Sequence, residues 1–264
     1  MFRGYDRVLQ RPVAVEVFPA GAGDRGRVRG WPPARVLAGL DHPALLVVYD
    51  AGVDADRGFV VTPLVEGPTL AERLEAGALS VAETVGVGVA LGGALGCVHR
   101  AGLVHRGISP SAVLLDAAGR CYLGDWGLAA GPAPAAVTAD PAITADPAVP
   151  GGIAVAAEGA AAGCYLSPEQ VTGSAVGPPA DIYALGLVLL ECLTGHCEYP
   201  GDPVAAAAAR LHRSPHIPAD LPRWRGARPA PVAAGGGAAG RDRAAAGPGR
   251  RHRDRPGRRV RDTP

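Results

Sequence analysis

A chain of 264 residues is long enough to bury a full core, and because all 26 of its basic residues are arginine, with no lysine and no asparagine anywhere, chemistry that needs either side chain is excluded. Its five cysteines (Cys97, Cys121, Cys164, Cys192, Cys197) are odd in number and lack metal-ligand spacing, which argues against a disulfide framework or a zinc site and for reduced, mostly buried thiols. The net charge of +1 hides an asymmetry: residues 1–222 hold 14 Arg against 22 Asp and Glu, net −8, while residues 223–264 hold 12 Arg against 3 Asp, net +9.

In chain order, the first third is strand-like. RPVAVEVF (11–18) is rich in β-branched residues, and two more runs follow at ALLVVYDAG (44–52) and FVVTPLVEG (59–67). WPPARVLAGL (31–40) is helix-like after its prolines but short, since Pro32 and Pro33 fit only a first turn. GAGDRG (21–26) fits a GxGxxG pattern with Asp41 about twenty residues on, as a dinucleotide site would. At 38 glycines in 264 residues, about 0.8 such matches arise by chance, and the following helix is broken by the two prolines.

From about residue 69 the pattern turns helical. Thr69 with Glu72, and Ser80 with Glu83, fit capping boxes, and Gly77 and Gly102 fit C-terminal caps. The second helix, 81–101, is apolar on most sides and is expected to be buried. A further buried helix is expected at 182–194, ending at Gly195, and Asp202-Pro203 opens a short Ala-rich helix. The apolar run Ile182 to Leu193 is too short to span a bilayer and no basic-then-apolar leader opens the chain, so no membrane segment and a cytoplasmic location are expected. Two stretches are expected to be mobile: residues 128–162, Ala, Pro and Gly with TADPA at 138 and again at 144, and the Arg/Gly/Ala/Pro-rich tail 223–264. If the tail binds anything, the expected partner is a polyanion, held in a salt-sensitive way.

VAVEVF (13–18), HRGISPSAVLLD (105–116), LGDWGLA (123–129), YLSPEQ (165–170) and DIYALGLVLLECLTG (181–195) together resemble, in order and spacing, the eukaryotic-like serine/threonine protein kinases of bacteria. The resemblance implies an α+β, two-lobed fold. A truncated β-rich N-lobe would occupy 1–65 and a mainly helical C-lobe 66–222, with 128–162 as a low-complexity activation segment and 223–264 as a disordered tail. In that family phosphoryl transfer is performed by positioned charges: a strand lysine and its glutamate partner, a catalytic aspartate, and an asparagine and aspartate on Mg²⁺.

Residue by residue, the resemblance puts Glu16 at the lysine position and Pro33 at that of the partner glutamate. Gly107 takes the place of the catalytic aspartate, Ser109 of the lysine two residues on, and Ala112 of the Mg²⁺ asparagine. Asp125 alone survives, as a metal ligand, so the cofactor implied is at most weakly held ATP with Mg²⁺ or Mn²⁺, with Glu16 joining Asp125. The fifteen residues before Glu16 match only the strand after a glycine loop, so that loop is expected to be absent or the start misassigned. Ala14, Thr62, Val65 and Leu114 would line the nucleotide pocket. Leu37, Val48, His105 and Trp126 would stack as a spine anchored by Asp181, although plain core packing predicts the same burial. Glu169 keeps the family's place in SPE, while its arginine partner near the domain's end is not recognisable. Ala162 replaces a family threonine. Three readings stay open: an inactive kinase-fold protein that binds other proteins, an active Ser/Thr kinase with rerouted catalysis, and the product of a decayed or frame-shifted gene.

Overall fold

The computed structural model describes residues 1–19, 36, 38–54, 57–126, 162–221 and 227–233. Its first layer is a four-stranded antiparallel sheet of β1 (Phe2–Asp6), β2 (Arg11–Pro19), β3 (Asp50–Asp54) and β4 (Arg57–Pro63), in the order β1-β2-β4-β3. Pairing of Ala14 with Thr62 and of Glu16 with Val60 sets these four residues on one face. Along β4 burial alternates, so that Val60 and Thr62 are buried while Phe59 and Val61 are partly exposed.

The second apolar run departs from expectation. Residues 44–49 are not part of β3, which begins at Asp50. The start of the run turns instead to β6 (Cys121–Leu123): the Leu123 N–H donates to the Ala44 carbonyl, 2.8 Å, and the Leu46 N–H to the Leu123 carbonyl, 3.2 Å, while at its end the Tyr49 N–H donates to the Val61 carbonyl of β4, 2.7 Å. This run, with Leu45, Leu46 and Val48 each about 4% exposed, therefore joins the sheet to the rest of the core.

Capping boxes start α1 (Leu70–Glu75) at Thr69 and α2 (Val81–Arg100) at Ser80, each satisfying two otherwise orphaned backbone N–H groups. Helix α2 buries one stripe, Thr84, Val87, Leu91, Ala94, Leu95 and Val98, at helical spacing. It is not buried all round as its composition suggests: Val89 is 61% exposed and the remaining faces are largely Gly and Ala. Among the described residues it is also the one helix long and apolar enough to cross a membrane, but its buried stripe packs against α4 (Pro178–Thr194).

Helix α4 begins four residues before the expected Ile182, with both prolines in its first turn. It ends at Gly195, whose φ of 77° closes the helix in the left-handed conformation that glycine adopts without strain. Between α2 and α4 lie a 3₁₀ turn (Pro110–Ala112), the hairpin β5 (Val113–Leu115) with β6, a second 3₁₀ turn (Ala162–Tyr165) and α3 (Pro168–Val171). Helix α5 (Pro203–His212) follows. The α+β kinase-like architecture is as the motifs imply, a β-sheet region followed by a helical one.

One expectation is corrected by position. Of residues 227–233, counted by composition with a disordered tail, Ala230, Val232 and Ala233 are hydrogen-bonded to α1, α2 and the β5–β6 turn, and Val232 is 2% exposed. The rest of 223–264, the stretch 128–161 and the GAGDRG segment lie outside the described residues.

Candidate functional site

The loop 105–112 is held by a carboxylate beneath it. Asp181, in the first turn of α4 and 1% exposed, accepts hydrogen bonds from the backbone N–H of His105 at 2.9 Å and of Arg106 at 2.7 Å, and lies 2.8 Å from His99 Nε2. Two backbone donors on one fixed acceptor force a sharp local path, and Arg106 takes a positive φ of 65°.

His105 carries this order to the next loop. It is fully buried, and burial pushes its pKa down against the opposing pull of Asp181, so the ring is neutral at pH 7. A neutral ring with Nε2 2.9 Å from the Gly124 carbonyl donates there, leaving Nδ1 to accept the Gly107 N–H at 3.3 Å. Its ring also packs against Trp126, with centroids 5.2 Å apart and planes tilted by 44°. Val48 is buried in the same core, whereas Leu37, the remaining spine position, and Pro33 lie outside the described residues.

Above this support lie the positions that the resemblance assigns to the cleft. Gly107 is buried and offers backbone only. Ser109 is 1% exposed and its hydroxyl is 2.9 Å from that of Ser111. Ala112 is buried, and its carbonyl accepts the Gly124 N–H at 2.9 Å. Asp125 is exposed at the head of its loop, with φ of 60°. Across from it, Glu16 on β2 is half-buried, and its Oε2 accepts the backbone N–H of Trp126 at 3.3 Å. That contact, which sequence reasoning did not foresee, sets a carboxylate against the backbone directly following Asp125.

The positions that the resemblance gives to a nucleotide pocket lie on separate elements. Ala14 and Thr62 are buried partners on β2 and β4, Val65 is half-buried just beyond β4, and Leu114 is half-buried on β5, bridged to Thr69. Glu169 sits in the first turn of α3, half-buried. Beside that turn, Arg210 of α5 is buried, donating from Nη1 to the Leu166 carbonyl and from Nε to Ala206, with its guanidinium 5.0 Å from the Tyr199 ring. An arginine inside an Ala-rich helix was the available signal for it. Among the described residues no group of three or more His, Cys, Asp or Glu is placed to hold a metal ion.

Comparison with known proteins gives consistent matches. The family described as protein kinase domain matches residues 33–225. Serine/threonine-protein kinase PknL of Mycobacterium bovis is 37% identical over 226 residues, covering 84% of this chain and 51% of that protein. PknL of Mycobacterium tuberculosis matches to the same extent. Serine/threonine-protein kinase PrkC of Bacillus subtilis is 31% identical over 225 residues, 83% of this chain and 32% of that protein. The chain thus spans about half the length of the first relatives it matches.

Proposed function

This chain belongs to the protein kinase family, and from that premise we propose that it is inactive in phosphotransfer and acts by binding a protein partner. The observation that carries the reading is the Glu16 carboxylate bonded to the Trp126 N–H beside Asp125. A unit charge near 4 Å from a phosphate is worth about 4 kcal/mol at an effective dielectric of 20, so a carboxylate in place of a cation swings the interaction by up to roughly twice that before solvent screening. With no lysine in the chain, no neighbouring strand supplies a replacement.

The residues present do not fit Mg·ATP. Gly107 has no carboxylate for a substrate hydroxyl's proton, Ala112 has no metal ligand, and Asp125 is left with Glu16 as the only other carboxylate the resemblance places there. In support of partner binding, β1 is an edge strand, and its hairpin with β2 leaves Phe2, Tyr5, Val8 and Leu9 each more than half exposed. The Arg-rich residues of 223–264 add attraction to polyanions that weakens steeply with salt.

The test is phosphotransfer by the purified chain at millimolar Mg²⁺ or Mn²⁺ beside an Asp125→Ala control. No turnover is expected; turnover that the control abolishes would restore the enzyme reading.

A further inference from the structure

Residues 230–233 are bonded as a bound peptide is. Every backbone N–H they possess is satisfied by the body of the protein: Ala230 donates to the Ala82 carbonyl at 2.9 Å, Val232 to the Gly119 carbonyl at 2.8 Å, and Ala233 to Glu83 Oε1 at 2.8 Å. Pro231 has no N–H to satisfy, and it is exposed. In the reverse direction Arg73 Nε donates to the Ala233 carbonyl at 2.8 Å, from a side chain that is itself buried and also bonded to the Gly77 carbonyl.

The walls are shaped for a backbone. A Cβ on Gly86 would stand 2.0 Å from the Ala230 carbonyl oxygen, and one on Gly119 would stand 1.9 Å from that of Val232. Gly119 has φ of 73° and is required by its turn in any case. Gly86 is different, because it sits inside α2, where glycine costs stability relative to alanine. Close approach of a second backbone is what the missing side chain permits.

We propose that the groove between the end of α1, the first turns of α2 and the β5–β6 turn is a peptide-binding site for an extended, proline-containing segment of small residues around one valine, and that its resident ligand is the chain's own Ala230–Ala233. The site recognises backbone through fixed donors and acceptors and selects one apolar side chain at the Val232 position, as strand-addition sites do. Tethering makes the resident segment a local competitor at high effective concentration, so a free peptide of the same pattern binds only when that segment is displaced.

The test uses the full chain and a fluorescent peptide of residues 227–233. In the wild type the amides of Ala230, Val232 and Ala233 are protected from hydrogen exchange, and the peptide binds weakly. Val232→Asp, which frees the resident segment but leaves the walls intact, loses that protection and takes up the peptide about tenfold more tightly or better. Gly86→Ala loses the protection and does not take up the peptide, because its new methyl group stands in the groove. Val232→Ser serves as the second releasing variant, and cooperative thermal unfolding of each variant establishes that it is folded. Unchanged protection in Gly86→Ala, or failure of both folded releasing variants to bind millimolar peptide, overturns the proposal.

Discussion

Two regions of the protein are interleaved over residues 105–126, and they obey different rules. The supporting side, His105 and Trp126 over Asp181, has the Asp181 carboxylate and the His105 ring bonded and its rings packed. The cleft side, Gly107, Ser109, Ala112 and Asp125, keeps one carboxylate out of the groups the resemblance places there. Each region lies within two residues of the other along the chain. The difference arises because the fold draws on other atoms than the chemistry does. Asp181 fixes the loop through the backbone N–H groups of His105 and Arg106, which any side chain at 107 leaves in place. A kinase-like loop can therefore be held in shape without the side chains that would make it react.

The largest effect that separates the regions is expected at Asp181. Asp181→Ala leaves two backbone donors and His99 without their acceptor in a site that is 1% exposed, a loss of about 3–5 kcal/mol. Asp125→Ala, on an exposed residue, costs about 1 kcal/mol or less, most of it from holding alanine at positive φ. Urea unfolding of the two variants measures both, and equal losses would break the comparison.

Next comes pH. Burial lowers the His105 pKa in the folded state, so below about 6.5 the unfolded chain binds a proton that the folded chain does not, and stability falls as pH falls, by at most about 1.4 kcal/mol per unit from this group. Above 6.5 its contribution is flat. Glu191, whose carboxyl is raised by burial, acts in the opposite sense over part of the acid range. The histidine term is therefore read as the difference between wild type and His105→Gln from pH 7.5 to 5, and a pH-independent difference would refute it.

What the sequence made legible follows the same division. Features with a local cause were readable: the capping boxes at Thr69 and Ser80, the glycine stop at 195, the β-branched strand at 11–18. Those set by distant partners were not. Ala44 to Tyr49 has strand composition, yet Ala44 and Leu46 bond to Leu123, 77 residues beyond Leu46, and only Tyr49 at the end of the run bonds to β4, so the strand starts late. The segment at 227–233 has one large apolar residue and looked too poor to order; the signals that it docks were a glycine inside α2 and a glycine at the β5–β6 turn, both of which have other readings in sequence. The Glu16 position was visible, but not that its carboxylate would find the Trp126 N–H.

Within the cleft side the next effect is smaller. Glu16→Gln keeps an oxygen for the Trp126 N–H and removes the charge, so it should cost about 1 kcal/mol or less in stability. The same change should tighten Mg·ATP binding by calorimetry about tenfold, the screened remnant of the Coulomb term. No change in affinity would mean that Glu16 is not what opposes the phosphates.

The smallest expected effect on chemistry is that of Gly107→Asp, the substitution that most resembles a repair. A carboxylate at 107 supplies a proton acceptor, but it acts on a phosphoryl group that must first be held, and the holding groups are elsewhere. Ser109 brings no cation, Ala112 no metal ligand, and Glu16 still presents a negative charge beside Asp125. Groups that work as a unit are non-additive, so restoring one while the others are absent yields little of its separate worth. Turnover of Gly107→Asp should therefore equal that of the wild type and of the Asp125→Ala control at millimolar Mg²⁺. Turnover in Gly107→Asp that is lost in the double variant with Asp125→Ala would show that one side chain, and not the whole charge arrangement of the cleft, accounts for the inactivity we propose.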